Sequence, residues 1–320
     1  MGIRDDITSR IIVALEAGTP PWRAGWKGGT LAYNADTNKP YQGINQLITG
    51  LSYSDPRWCT FKQAQKNGWR INKGEKATRI VKMVEVARDT PAVEGDDVLG
   101  EDGRSKLIMR GYDVFNAEQM SGIAALPARN SKTEMRPTAR ADAVIKGLEL
   151  DGLRLNYDGT ISCCFYPGRD TISMIPHERF SSVESLYQSL LHECGHATGI
   201  TSRTNRLNSF ARFGSEEYAR EELVAELTAV QIGVRLELQG PGGSWLSEQH
   251  LQNHAAYIGS WLRVLKSDRN EIFVAAAAAE KACNWLVEHA VEPRPVSAPA
   301  VLGFSDPQAR IALLPSPLRR

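Results

Sequence analysis

Apolar residues recur at helical spacing near the start of the chain and again through its last third, with shorter alternating runs between. Residues 5–17 set Ile7, Ile11, Ile12 and Leu15 on one face and end at Gly18, which predicts an amphipathic helix. Pro20 and Pro21 then force an extended segment. Up to about residue 125 the pattern is mixed, with strand candidates at 79–86 and 106–115. The stretch 89–103, rich in glycine and acidic residues, reads as a solvated hairpin loop. A polar run over 127–139 reads as a linker. Beyond it come a helix near 140–148, strand pieces at 154–157, 160–166 and 170–175, and four long helices at about 182–198, 215–238, 247–265 and 268–289. Ser181 with Glu184 offers a capping box for the first of these helices. The tail after Pro293 holds several prolines and reads as irregular.

A length of 320 residues suggests two domains, and 42% hydrophobic residues suffice for ordinary packed cores. The pattern as a whole predicts an α+β protein. A small α+β domain over 1–125 is joined by a linker at 126–139 to a mainly helical domain over 140–290, followed by a tail at 291–320. A net charge of +1 gives no overall sign of a polyanion binder, but that average hides a strong asymmetry along the chain. The opening residues hold no signal-peptide pattern, and no stretch reaches the roughly 18 apolar residues of a membrane span. Met1-Gly2 is not a myristoylation site, because Asp6 stands where Ser or Thr is needed. Five cysteines without a CxxC pair fit a reducing cytoplasm.

The run His192-Glu193-Cys194-Gly195-His196 changes the picture. Residues i and i+4 of a helix lie one turn apart on one face, so both imidazoles can reach one zinc ion. Glu193 points beside that ion, where it can take a proton from bound water and pass it to a leaving group. A third ligand is needed. Ser202 stands where a metzincin would carry its third histidine, so a glutamate on the following helix is expected. Glu222 and Glu226 lie at i, i+4 in the more apolar part of that helix, where carboxylates are costly without a cation. Glu222 is the expected metal ligand and Glu226 the acceptor for the other N–H of a ligand histidine, with the reverse assignment open. Glu216 and Glu217 read as a solvated acidic face. His250 and His254 repeat the i, i+4 spacing without an adjacent Glu and read as ordinary helix residues. Cys163 and Cys164 alternate across a strand and read as packing, and Cys194 is expected to face the core. Two His and one Glu suit Zn2+, with Mn2+ as the alternative.

The first half has its own charge pattern. Between Arg57 and Lys82 eight basic residues face one acid, Glu75. Trp22, Trp26, Tyr33, Tyr41, Trp58, Phe61 and Trp69 lie among or near them. Cations on phosphates with rings stacked on bases form the general design of single-strand binders. Arg57, Trp58, Lys62, Trp69, Arg70, Lys73 and Lys76 are the candidate DNA contacts. A basic surface that only solubilises, with half the rings in a core, is the competing reading.

Two sets of residues carry a family resemblance. Ile11–Trp26, Tyr41-Gln42-Gly43-Ile44-Asn45, Trp58–Ala64, Lys73-Gly74-Glu75 and Val114–Gln119 resemble the N-terminal domain of ArdC-type antirestriction proteins, shared with some plasmid primases. Leu191–Gly199, Arg203–Arg206, Phe213-Gly214, Tyr218–Glu226 and Tyr257–Leu265 resemble the zincin-like domain of the same family. The resemblance implies a single-stranded-DNA-binding domain fused to a gluzincin-type metallopeptidase-like domain, encoded on mobile elements and protecting incoming DNA from restriction. It also implies, through a Glu-x-x-Ala-Asn motif with Glu226 in place of Asn, that Glu222 is the third ligand. Three functions follow: a DNA-coating antirestriction protein, a protease acting on a host defence protein with DNA as its address, and a DNA-binding module with a structural metal.

Overall fold

The computed structural model describes residues 2–291 apart from 19, 21, 23–30, 51–52, 54, 88, 92–95, 102–104, 127–136, 208–213 and 239–247. Most of the expected linker and almost all of the tail lie outside the described residues, as do the side chains of His250 and His254.

The first helix, α1 (Ile3–Glu16), buries Ile3, Ile7, Ile11, Ile12 and Leu15, the face that the spacing predicts. The N-terminal sheet is built on β6 (Ser105–Asn116). Along one edge β6 pairs antiparallel with β4 (Thr78–Ala87), from Thr78 opposite Val114 to Ala87 opposite Ser105. Its other edge is shared by β5 (Asp97–Glu101) and β2 (Arg57–Thr60), and β1 (Tyr33–Asn34) runs parallel to β2 outside it. The strand β5 corrects the loop expected over 89–103. Its own residues are poor strand formers, but β6 offers a free row of backbone groups, and pairing with it overrides local propensity. Two short helices follow the sheet's rim: α2 (Ile44–Thr49) and α3 (Phe61–Lys66). Under α3 lies a small satellite core of Cys59, Ala64 and Met120, with Trp69, Ile71, Phe115 and Ile123 packed on it. A two-stranded ribbon of β3 (Arg70–Ile71) and β7 (Met120–Ser121) closes that corner.

The second half opens with α4 (Pro137–Leu150) and a three-stranded sheet, in which β10 (Thr171–Ser173) lies between β8 (Arg154–Asn156), parallel to it, and β9 (Cys164–Tyr166), antiparallel. Only 164–166 of the expected strand 160–166 is strand. Four helices follow: α5 (Val183–Ala197), α6 (Glu216–Arg235), α7 (Glu248–Ser267) and α8 (Glu271–Glu288). The cap of α5 is a correction to the sequence reading. Ser182, not Ser181, accepts from Ser185 N–H at 3.1 Å, and Ser185 Oγ accepts from Ser182 N–H at 3.1 Å. The helix starts one residue later than the Ser181–Glu184 reading requires, which places Glu184 one position too early to reach back.

The architecture is two-domain, yet the larger core is continuous from Ile3 to Leu286. Helix α1 lies along α7, and Thr8 Oγ1 donates to the Arg269 carbonyl at 2.8 Å. Trp22 meets Trp261 edge-on with ring centres 5.7 Å apart. At the start of α2, Gly43 N–H donates to Glu280 Oε2 of α8 at 3.0 Å, and Glu280 Oε1 accepts from Arg235 of α6. No helix among the described residues is long and apolar enough to cross a membrane.

Candidate metal centre and basic face

Helix α5 buries Leu186, Leu190, Leu191, Cys194 and Ala197 in the core and turns His192, Glu193 and His196 towards α6 and β9. Cys194 faces the core as expected. Gly195 lies where the two helices cross. A Cβ there would stand 3.2 Å from both Cα and O of Ala225 and 3.3 Å from Thr228 Cβ. That close approach brings Glu222 opposite both imidazoles. Glu222 Oε2 is 3.3 Å from His192 Nε2, and Glu222 Oε1 is 3.6 Å from His196 Nε2. One atom from each of the three residues falls within 4.8 Å of the others. Donors around a tetrahedral zinc with bonds of about 2.0–2.2 Å stand about 3.3–3.6 Å apart, so two neutral imidazoles and a carboxylate fit a divalent cation in both chemistry and spacing.

The charges around the triad call for a cation. Glu222 is buried, which raises its pKa, but His192, His196 and the Tyr218 hydroxyl outweigh this and hold it down to about 2. Burial opposes a charge on His192; its hydrogen bonds to Glu222 and Glu226 prevail and hold its pKa well above the usual imidazole value. His192 Nδ1 lies 3.7 Å from Glu226 Oε2, on the side of the ring away from Glu222. Glu193 is buried, which pushes its pKa up against the pull of the two imidazoles, and the Phe165 N–H of β9 donates to its carboxylate. Glu216 and Glu217 are exposed and pair with Arg220 on a solvated face. The thiols of Cys163 and Cys194 are pushed up by burial, the former to about 11. Neither thiol belongs to the group of His192, His196 and Glu222.

In the N-terminal half the eight basic residues separate into two groups. Arg57, only 13% exposed, is held by Asp55 at 2.7 Å and by the Ala124 carbonyl. Lys66 pairs with Asp36, and Arg79 with Asp113. Lys62, Arg70, Lys73, Lys76 and Lys82 are exposed and have no ion-pair partner among the described residues. Trp58 is 1% exposed and corrects the candidate list. It lies on β2, between β1 and β6, with its ring in the core edge-on to Tyr53, so no face is left for a base. Trp69 is half-buried on the satellite core.

Comparison with known proteins joins the two halves. Residues 1–115 match the model of the N-terminal domain of the anti-restriction factor ArdC, and 140–278 match that of a zincin-like metallopeptidase. The crystal structure of the antirestriction ArdC protein from the R388 plasmid superposes with a TM-score of 0.70 at 33% identity, covering 90% of this chain and 98% of that one. The chain belongs to the ArdC family. Its Mn(II)-bound counterpart superposes equally well, at 31% identity over 91% of this chain and 99% of that one. An uncharacterized protein of Sinorhizobium fredii, y4eC, is 33% identical over 294 residues, 89% of this chain and 91% of that protein. The DNA primase TraC of Escherichia coli is 34% identical over 298 residues, 88% of this chain, and the chain spans only 27% of that primase's length.

Two features of this ArdC family member went unread in the sequence. Glu221 accepts from His196 Nδ1 at 3.0 Å, and Arg206 grips it twice, Nε to Oε2 at 3.0 Å and NH2 to Oε1 at 2.7 Å. Arg206 also donates to the Gly195 carbonyl at 2.6 Å and to Thr198 Oγ1 at 2.7 Å, which ties it to the end of α5. Each histidine of the triad therefore has a carboxylate at its Nδ1, Glu226 for His192 and Glu221 for His196. The second feature is Tyr218, whose hydroxyl donates to Glu222 and sits 3.3 Å from that of Tyr257. The nearest signals were the Arg203–Arg206 and Tyr218–Glu226 stretches that carried the family resemblance.

Proposed function

We propose that this ArdC family member is a cytoplasmic antirestriction protein of a mobile element. It binds single-stranded DNA through the domain at 1–125 and shields incoming DNA, while the domain at 140–290 holds one divalent metal on His192, His196 and Glu222. The observation that carries this reading is the likeness across 98% of a structure described as an antirestriction ArdC protein. The exposed candidate cations Lys62, Arg70, Lys73 and Lys76 supply the phosphate contacts. The donor set admits zinc and manganese alike.

When bound, such a metal polarises a carbonyl and acidifies water. The chain's own groups complete a peptidase arrangement. Glu193, whose pKa burial raises, is placed to accept a proton on its carboxylate and return it to a leaving amine. Beside it β9 is an edge strand of its sheet, able to align an extended peptide. These two observations favour a second reading, a protease acting on a host protein with DNA as its address.

Transfer of a plasmid into a restricting host separates the readings. The chain is compared with Glu193→Gln, with a variant carrying Gln at Lys62, Arg70, Lys73 and Lys76, and with an empty vector. Under the shielding reading Glu193→Gln protects as well as the native chain and the four-site variant loses protection. Loss of protection in Glu193→Gln with metal retained moves the function to the second reading. Absence of protection by the native chain sinks both.

A further inference from the structure

We propose that Phe61 is a nucleobase-stacking residue, the ring that makes the basic face select unpaired strands. This rests on the single-strand-binding reading above and adds a ring that the candidate DNA contacts left out. Phe61 is 57% exposed, whereas Trp58 is in the core and Trp69 half-buried. The chain does not need this ring for packing, since α3 buries only Ala64. Its position is nevertheless fixed. Thr60 Oγ1 accepts from Gln63 N–H at 3.3 Å and Gln63 Oε1 accepts from Thr60 N–H at 2.9 Å, so the start of α3 is locked onto β2 of the sheet.

The surroundings suit a polyanion. Lys62 is the next residue, and α3 packs against β3, which carries the exposed Arg70. Lys73 and Lys76 follow in the adjoining loop. Two nearby acids are already engaged: Glu75 accepts from Gln119 Nε2 at 2.9 Å, and Asp36 accepts from Lys66 and Asn67. An exposed ring on a rigid support, in a stretch where cations outnumber acids, has the parts of a single-strand platform, where phosphates are held by charge and a base face by the ring. An apolar protein partner would gain nothing from the four cations. A duplex hides its base faces, so Phe61 adds affinity for single strands only.

The test is fluorescence anisotropy of the full-length protein with labelled oligothymidylate and with a duplex of equal length. Phe61→Ala and Phe61→Leu are each expected to weaken oligothymidylate binding by about 5- to 100-fold, and Phe61→Trp to retain it. Duplex binding changes by less than about two-fold in all three, because phosphate contacts alone carry it. The salt dependence stays that of the native protein in Phe61→Ala, whereas Lys62→Gln reduces its slope by about 0.7. Metal titration of each variant checks that the chain is folded. Native affinity in Phe61→Ala overturns the proposal, and so does native affinity in Phe61→Leu, which would show an apolar contact rather than stacking. A native chain that binds no oligothymidylate overturns the single-strand reading together with this one.

Discussion

His192 and His196 can share a metal only while both rings present Nε2 to the same point, and each is turned there by a carboxylate on its far side. Removing such a support generally costs about 10- to 100-fold in metal affinity. Glu221→Gln and Glu226→Gln are each expected to lose that much in calorimetric titration with zinc or manganese, with Glu193→Gln unchanged. Equal affinity in Glu221→Gln would show that the ring needs no charged acceptor. The cluster of His192, His196 and Glu222 was legible in the sequence, because i, i+4 histidines and an acid in an apolar helix are local patterns. Glu221 was not, since its role depends on Arg206 arriving from a loop fifteen residues earlier. Trp58 misled for a related reason: a ring in a basic stretch looks the same whether its strand is an edge or lies between two others.

At the level of elements, the site depends on how closely α5 and α6 can approach. Gly195→Ala forces the Ala225 backbone to give by a few tenths of an ångström. Overpacking of this kind costs about 1–3 kcal/mol. The variant is expected to lower stability in chemical unfolding and to weaken metal binding together, since Glu222 moves with its helix. Ser182→Ala, which removes the cap of α5 but no contact near the site, is expected to cost about 1 kcal/mol. Its metal affinity should stay native, and a matching loss would show that the cap positions the ligands. The long helices were legible from their apolar spacing. The strand β5 was not, because what orders it is β6 rather than its own composition. The cap of α5 was displaced by one residue, as serines at 181, 182 and 185 offer two overlapping solutions that only the finished turn distinguishes.

For the molecule as a whole, the junction between the halves is polar and specific. Gly43 has φ of 53°, a left-handed value that lets its N–H reach Glu280, and the same carboxylate receives Arg235 from the helix that bears Glu222. Glu280→Ala leaves both donors without it, and a lost partly buried charged hydrogen bond costs about 1.5–3 kcal/mol. The expected result is a loss of that size in urea unfolding, with metal affinity per folded molecule nearly native. Sequence spacing gave the two halves but not their contact, for Tyr41–Asn45 carries no sign of what it meets more than two hundred residues later. The contact also decides geography. With α1 seated along α7 and α2 on α8, a strand bound by the first half, as proposed, would carry the His192 site with it. A target on that same strand is then met at tether-like local concentrations, on the order of millimolar, while one free in solution must be found by diffusion. The protein's reach would be set by the DNA it occupies.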